Sequence, residues 1–164
     1  MANSSWEQGI AFVLAREGSY CNDVGDPGGE TNWGISKKAY PHLDIKNLTV
    51  DEAKEIYRKD YWQVCRCDEL AFPFDIATFD CAVNQGVGKA KRLLQIALNV
   101  DVDGIIGDKT IAATFKVTPG VFRKMMAERI AEYFRLMTVN PALSMWAQNW
   151  IYRVLSLFEL GIKP

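Results

Sequence analysis

Histidine is almost absent from this chain: a single one, His42, stands among 164 residues. It follows Pro41, in a stretch that reads as loop. A zinc centre takes three or four nitrogen, sulfur or carboxylate ligands, and one imidazole falls short of the usual set. Cysteine is sparse as well. Cys21, Cys65, Cys67 and Cys81 do not make a disulfide scaffold in a chain of this size, and no second pair completes the Cys65-x-Cys67 motif as a metal site. Buried, reduced thiols are the expectation, and no cofactor is expected.

Charge of one sign is also missing. Nineteen Lys and Arg against twenty Asp and Glu leave a net charge of −1. Without a basic patch, nucleic acid is not an expected partner. No apolar run approaches the roughly 20 residues that cross a bilayer, so no membrane insertion is expected. The opening residues MANSSWEQG are polar and carry an acid where a signal peptide has basic and then apolar residues. Synthesis in the cytosol without a leader is therefore the expectation. The chain contains no internal repeat and no low-complexity tract.

The hydrophobic fraction, 49%, and the charged fraction, 24%, are those of a soluble globular protein. The length suits one domain, or a region 1–87 with a closely packed helical subdomain 88–164, the division being a soft shift in composition. Aromatic residues are plentiful at 12%, with five Trp, enough to build both a core and a stacking surface.

The periodicity is helical. Ser4 to Glu7 fits a capping box, and Trp6, Ile10, Val13, Leu14 and Glu17 follow one helical face up to Gly18. Residues 18 to 36 form a glycine-rich loop or a short β-hairpin, turning sharply at Asp26-Pro27-Gly28-Gly29. Thr49-x-x-Glu52 opens a second helix, running to about Tyr61. Pro73 to Gln85 reads as a third, closed by Gly86, with Ala77, Asp80, Cys81 and Asn84 on one face. Further helices are expected over 88–99, from Asp108, from Thr118-Pro119 and from Asn140-Pro141, the last ending at Gly161. Asp101-x-Asp103-Gly104 lacks the remaining ligands of a calcium loop and reads as a tight turn.

One carboxylate is oddly placed. Glu17 ends an apolar stripe, and a glycosidase needs an acid whose proton is retained by such a setting. The partner on the other face of a sugar would be Asp26, with Thr31 holding a water. Spacing alone leaves two readings open: this pair as catalysts, or Glu17 as a helix-end residue paired with Arg16 or a lysine and Asp26 as an Asx turn before Pro27. Tyr20 and Trp33 flank the acid, and aromatic faces stack on pyranose rings. Core packing is the rival role for Trp33.

The run Glu17-Gly18-Ser19-Tyr20, Asn22-Asp23 and Asp26-Pro27-Gly28-Gly29-Glu30-Thr31-Asn32-Trp33-Gly34-Ile35-Ser36 resembles the signature of glycoside hydrolase family 108, N-acetylmuramidases of phages and bacteria. The resemblance implies a mainly α, lysozyme-like helical fold and assigns the catalytic acid to Glu17. Ser19 stands where the family motif has a second glycine. The order Glu17, Asp26, Thr31 resembles that of phage lysozymes. Asp80 to Gly88, with Asp101 to Gly107 and Thr110, is similar to the peptidoglycan-binding region that accompanies the family. There Asn84 and Gln85, with Tyr20, Asn32 and Trp33, would contact sugar, whereas a helix-capping role is the rival for Asp80 and Asn84.

The resemblance further implies a monomeric endolysin acting on bacterial peptidoglycan. It would be made in the host cytoplasm and reach the wall or periplasm once a holin-type protein permeabilises the membrane. A lytic transglycosylase using the same glutamate and a non-enzymatic wall-binding module are alternatives. A Cys21–His42 thiol peptidase has little support.

Overall fold

The computed structural model describes residues 2–22, 29–116 and 118–162. It is mainly α-helical. Among the described residues seven α-helices run in order: α1 (Ala2–Leu14), α2 (Val50–Tyr57), α3 (Phe74–Gln85), α4 (Val87–Leu98), α5 (Asp108–Thr114), α6 (Pro119–Val139) and α7 (Ala147–Ile162). Between α1 and α2 a hairpin pairs β1 (Thr31–Asn32) with β2 (Ile35–Ser36), antiparallel. Cys21 bridges Thr31, so the first strand of the glycine-rich loop is tied back to the chain leaving α1.

The apolar stripe of α1 is its buried face: Trp6, Ile10 and Val13 all lie in the core. Trp6 meets Trp62 and Phe79 at ring-centroid separations of 5.3 and 5.5 Å. Gly9 lets α1 approach, because a Cβ there would sit 3.3 Å from both Phe79 and Trp62. Burying each such side chain stabilises the fold by about 1.5–3 kcal/mol.

The Thr49–Glu52 capping box is present in full, with Glu52 N donating to Thr49 Oγ1 and Thr49 N to Glu52 Oε2 at 2.8 Å. Beyond Tyr57 the helix widens into a π-helical segment, Arg58–Gln63, which turns Trp62 inward. At the centre of the fold, α3 is buried from Phe74 to Ala82, so it is enclosed on nearly every side. The buried cluster continues without a break through Leu94 of α4, Phe122 of α6 and Leu157 of α7. One hydrophobic core thus spans the composition shift near residue 88.

Two boundaries differ from the sequence expectation. Helix α1 starts before the Ser4–Glu7 box and stops at Leu14, so Glu17 lies in the turn that follows. Asn140-Pro141 opens a 3-10 segment, Pro141–Trp146, before α7 begins. Gly161 is the second-last residue of α7, within one residue of the expected end, and a Cβ there would meet Phe122 Cζ at 2.7 Å and Pro73 Cβ at 2.9 Å. Close packing accounts for a glycine there.

Candidate active site

The chain leaves α1 through a single turn, in which Glu17 N donates to Val13 O at 3.1 Å. This turn keeps Glu17 on the side of the buried stripe but releases its side chain toward the hairpin and α7. Its Oε1 accepts from Arg153 Nη1 at 3.1 Å, and 22% of the side chain remains exposed. The other carboxylate oxygen faces the hairpin tip. There Trp33 and Gly34 both have positive φ, 52° and 78°, the two-residue turn that matches strand twist. A Cβ on Gly34 would lie 2.9 Å from Glu17 Oε2 and would collide with the Tyr57 hydroxyl. The missing side chain of Gly34 is room for the Glu17 carboxyl.

Tyr57 donates to Trp33 O at 2.9 Å and so pins the turn. Burial, and then the charge of Glu17, pushes its phenol well above the ordinary range, so it stays a donor. The neighbours of Glu17 are therefore a guanidinium, a phenol and a glycine turn. The greasy surroundings expected from the stripe are not what the carboxyl meets.

Arg153 is held from behind. Its Nε donates to Asp80 Oδ1 at 2.8 Å, and the other oxygen of Asp80 lies 2.9 Å from Arg129 Nη2. Asp80 and Arg129 are both fully buried. Asp80 thus sits mid-helix as a clamp between two arginines and does not cap a helix. Arg129 Nε also reaches Gln85 Oε1, which accepts from Cys81 Sγ as well, both at 3.2 Å. Burial pushes the Cys81 thiol up to about 11, so it stays neutral. Asp80 thus joins the two guanidiniums, and the outer one, Arg153, reaches on to Glu17. Deleting Asp80 would strand the buried Arg129 charge, at about 3–5 kcal/mol.

A groove of about 600 Å³ opens between the end of α1, the end of α3 and α7, with Ala15, Arg16, Asn84, Trp150 and Arg153 in its walls. A second hollow, of about 340 Å³, adjoins it and shares Asn84 and Trp150, adding Gln85 and Lys89. The guanidinium that holds Glu17 is thus part of a groove wall.

The remaining nominated residues divide. Asp26 lies outside the described residues. Thr31 is half-buried in β1, with Oγ1 donating to Gly29 O at 3.2 Å. Asn32 is buried and donates to the carbonyls of Ile45 and Leu48, which fastens the loop before α2. Trp33 packs against the core and donates from Nε1 to Leu48 O at 3.1 Å. Tyr20 is exposed and donates to Glu30 Oε1 at 2.9 Å. Asn84 and Gln85 line the groove system. Sequence reasoning missed Arg153, Arg129 and Tyr57. A signal for the arginines was present: Arg153 falls between Trp150 and Val154, and Arg129 between Met126 and Ile130, on stripes otherwise apolar.

The glycosyl hydrolase 108 family model matches residues 10–86. That span contains Glu17, the hairpin, Tyr57, Asp80 and Gln85. Among solved structures the chain is similar to SagA of Brucella abortus, with 30% identity and a TM-score of 0.82, over 98% of this chain and 95% of that one. No curated protein matches.

Proposed function

Because the chain belongs to the glycosyl hydrolase 108 family and has its lysozyme-like helical fold, it is a glycoside hydrolase, and we propose that its substrate is bacterial peptidoglycan, cleaved at the β-1,4 bond between N-acetylmuramic acid and N-acetylglucosamine. The observation that carries this reading is the Glu17 carboxyl, partly exposed beside a groove and fixed by an arginine that a buried aspartate locks in place.

In this mechanism Glu17 gives its proton to the glycosidic oxygen as the C1–O bond breaks, and the leaving sugar departs as an alcohol. Water adds to C1 and returns a proton to the site. The carboxylate formed on Glu17 meets Arg153, already aligned, so the group that develops charge has its counter-ion before the reaction begins. Locking by Asp80 matters here because a preorganised cation needs no rearrangement at the barrier. The order Glu17, Asp26, Thr31, similar to that of phage lysozymes, makes Asp26 and Thr31 the candidates for positioning that water.

Replacing Glu17 by Gln preserves shape and the contact to Arg153 while removing the acid. Turnover on purified peptidoglycan should fall by about 10²–10⁴-fold with the melting temperature near wild type. The released reducing end should be N-acetylmuramic acid. A folded Glu17→Gln protein that keeps most of its activity would sink the assignment, and 1,6-anhydromuramyl ends would replace hydrolysis with transglycosylation.

A further inference from the structure

Tyr133 of α6 makes two contacts that together build something the acid site does not require. Its ring stacks under Trp150 of α7, with centroids 4.8 Å apart and planes inclined by 17°. Its hydroxyl donates a hydrogen bond to Oδ1 of Asn84, at the end of α3. One buried residue therefore fixes the position of an indole and the orientation of an amide on neighbouring elements. Trp150 and Asn84 are also the two side chains that line both hollows, so they form the ridge over which the two communicate.

The bond from Tyr133 takes one lone pair of the Asn84 oxygen and fixes the amide so that its nitrogen points away from Tyr133, as a donor for a ligand. Beside it lies a half-buried indole backed on one face by Tyr133. An aromatic face accepts the apolar C–H side of a pyranose, and an adjacent amide N–H suits the carbonyl of an N-acetyl group. A plain hexose satisfies the first but leaves the second unpaired. From this geometry we infer that Trp150, Asn84 and Tyr133 form an N-acetylhexosamine subsite, which reads the acetyl group and carries the glycan strand from the groove beside Arg153 toward the Lys89 side. The inference rests on the glycan-cleaving reading of that groove.

Chito-oligosaccharides of four N-acetylglucosamine units serve as the probe, titrated calorimetrically into the full chain with Glu17→Gln to prevent turnover. Trp150→Ala should weaken binding about tenfold or more, and Trp150→Phe less, since a smaller ring keeps part of the stack. Tyr133→Phe retains the stack but frees Asn84. It should lower the preference for acetylated over de-N-acetylated oligomers about tenfold while the de-N-acetylated affinity changes little. Melting curves identify any variant that fails to fold, and Tyr133→Phe, which deletes one oxygen, decides the matter if Trp150→Ala does. Unchanged affinity in folded Trp150→Ala, or an unchanged acetyl preference in Tyr133→Phe, overturns the subsite. Wild type that binds the oligomers through Trp150 yet never cleaves peptidoglycan would refute the proposed reaction and leave the subsite standing. Cleavage that proceeds with a Trp150-independent affinity would do the reverse.

Discussion

Gly34 leaves the space in which Glu17, the proposed acid, stands. Its φ of 78° lies in the left-handed region, and the space where a Cβ would stand is taken by Glu17 and Tyr57. Alanine at this position would force a residue with a side chain into a strained backbone and push against both neighbours. Gly34→Ala should destabilise the fold by about 1–3 kcal/mol. It should also lower activity by about 10²-fold at temperatures where the variant is still folded, because Glu17 is displaced by a fraction of an ångström. Thermal unfolding and wall-lysis assays on one preparation separate the two effects. If activity falls only in proportion to the folded fraction, the turn does not position the acid.

At the scale of the elements, Gly161 sets two effects against each other. Inside a helix, replacing Gly by Ala is worth about 1 kcal/mol in propensity. Here the added methyl would press on Phe122 and Pro73, and overpacking of this kind costs about 1–3 kcal/mol. Crowding by an aromatic ring and a proline ring should win, so Gly161→Ala should lower the melting temperature. A raised one would mean that α7 can slide on α6 at little cost.

The same element explains what could be read from the residues alone. Capping and stripe signals are local, so α2, with its Thr49–Glu52 box, and α1, with Trp6, Ile10 and Val13, were legible. Glu17 was legible because a carboxylate broke an apolar period. Asp80 was not, because its partner Arg153 lies 73 residues away, and side-chain pairing at that range leaves no mark on spacing. Gly161 read as a stop because the surface it packs against comes from elsewhere in the chain. The arginines could have been found as charges on apolar stripes, the same logic that marked Glu17.

For the whole molecule, ionic links join separate helices. Glu132 of α6 accepts from Arg135 at 2.6 and 2.9 Å and pairs with Lys89 of α4 at 2.9 Å. The guanidinium of Arg135, aided by Lys89, holds its carboxyl down to about 2 from an ordinary 4.5. A carboxylate depressed in the folded state stabilises above its unfolded value, and that gain disappears as pH falls from about 4.5 toward 2. Glu132→Gln should therefore be less stable than wild type by about 1 kcal/mol at pH 7, after allowance for solvent screening at the exposed Arg135. Denaturant unfolding from pH 7 to pH 2.5 should show the two proteins converging in the acid range. A gap that stays constant with pH would assign the loss to packing.

Glu17 and Arg153 are 136 residues apart in the chain. A ribosome-bound polypeptide that has emerged only as far as α6 presents the acid with no guanidinium beside it and leaves Asp80 facing one arginine instead of two. On the proposed reading, competence for cleavage arrives with α7, late in synthesis, and a protease that trims this helix takes away the Arg153 contact together with the buried Val154 and Leu157.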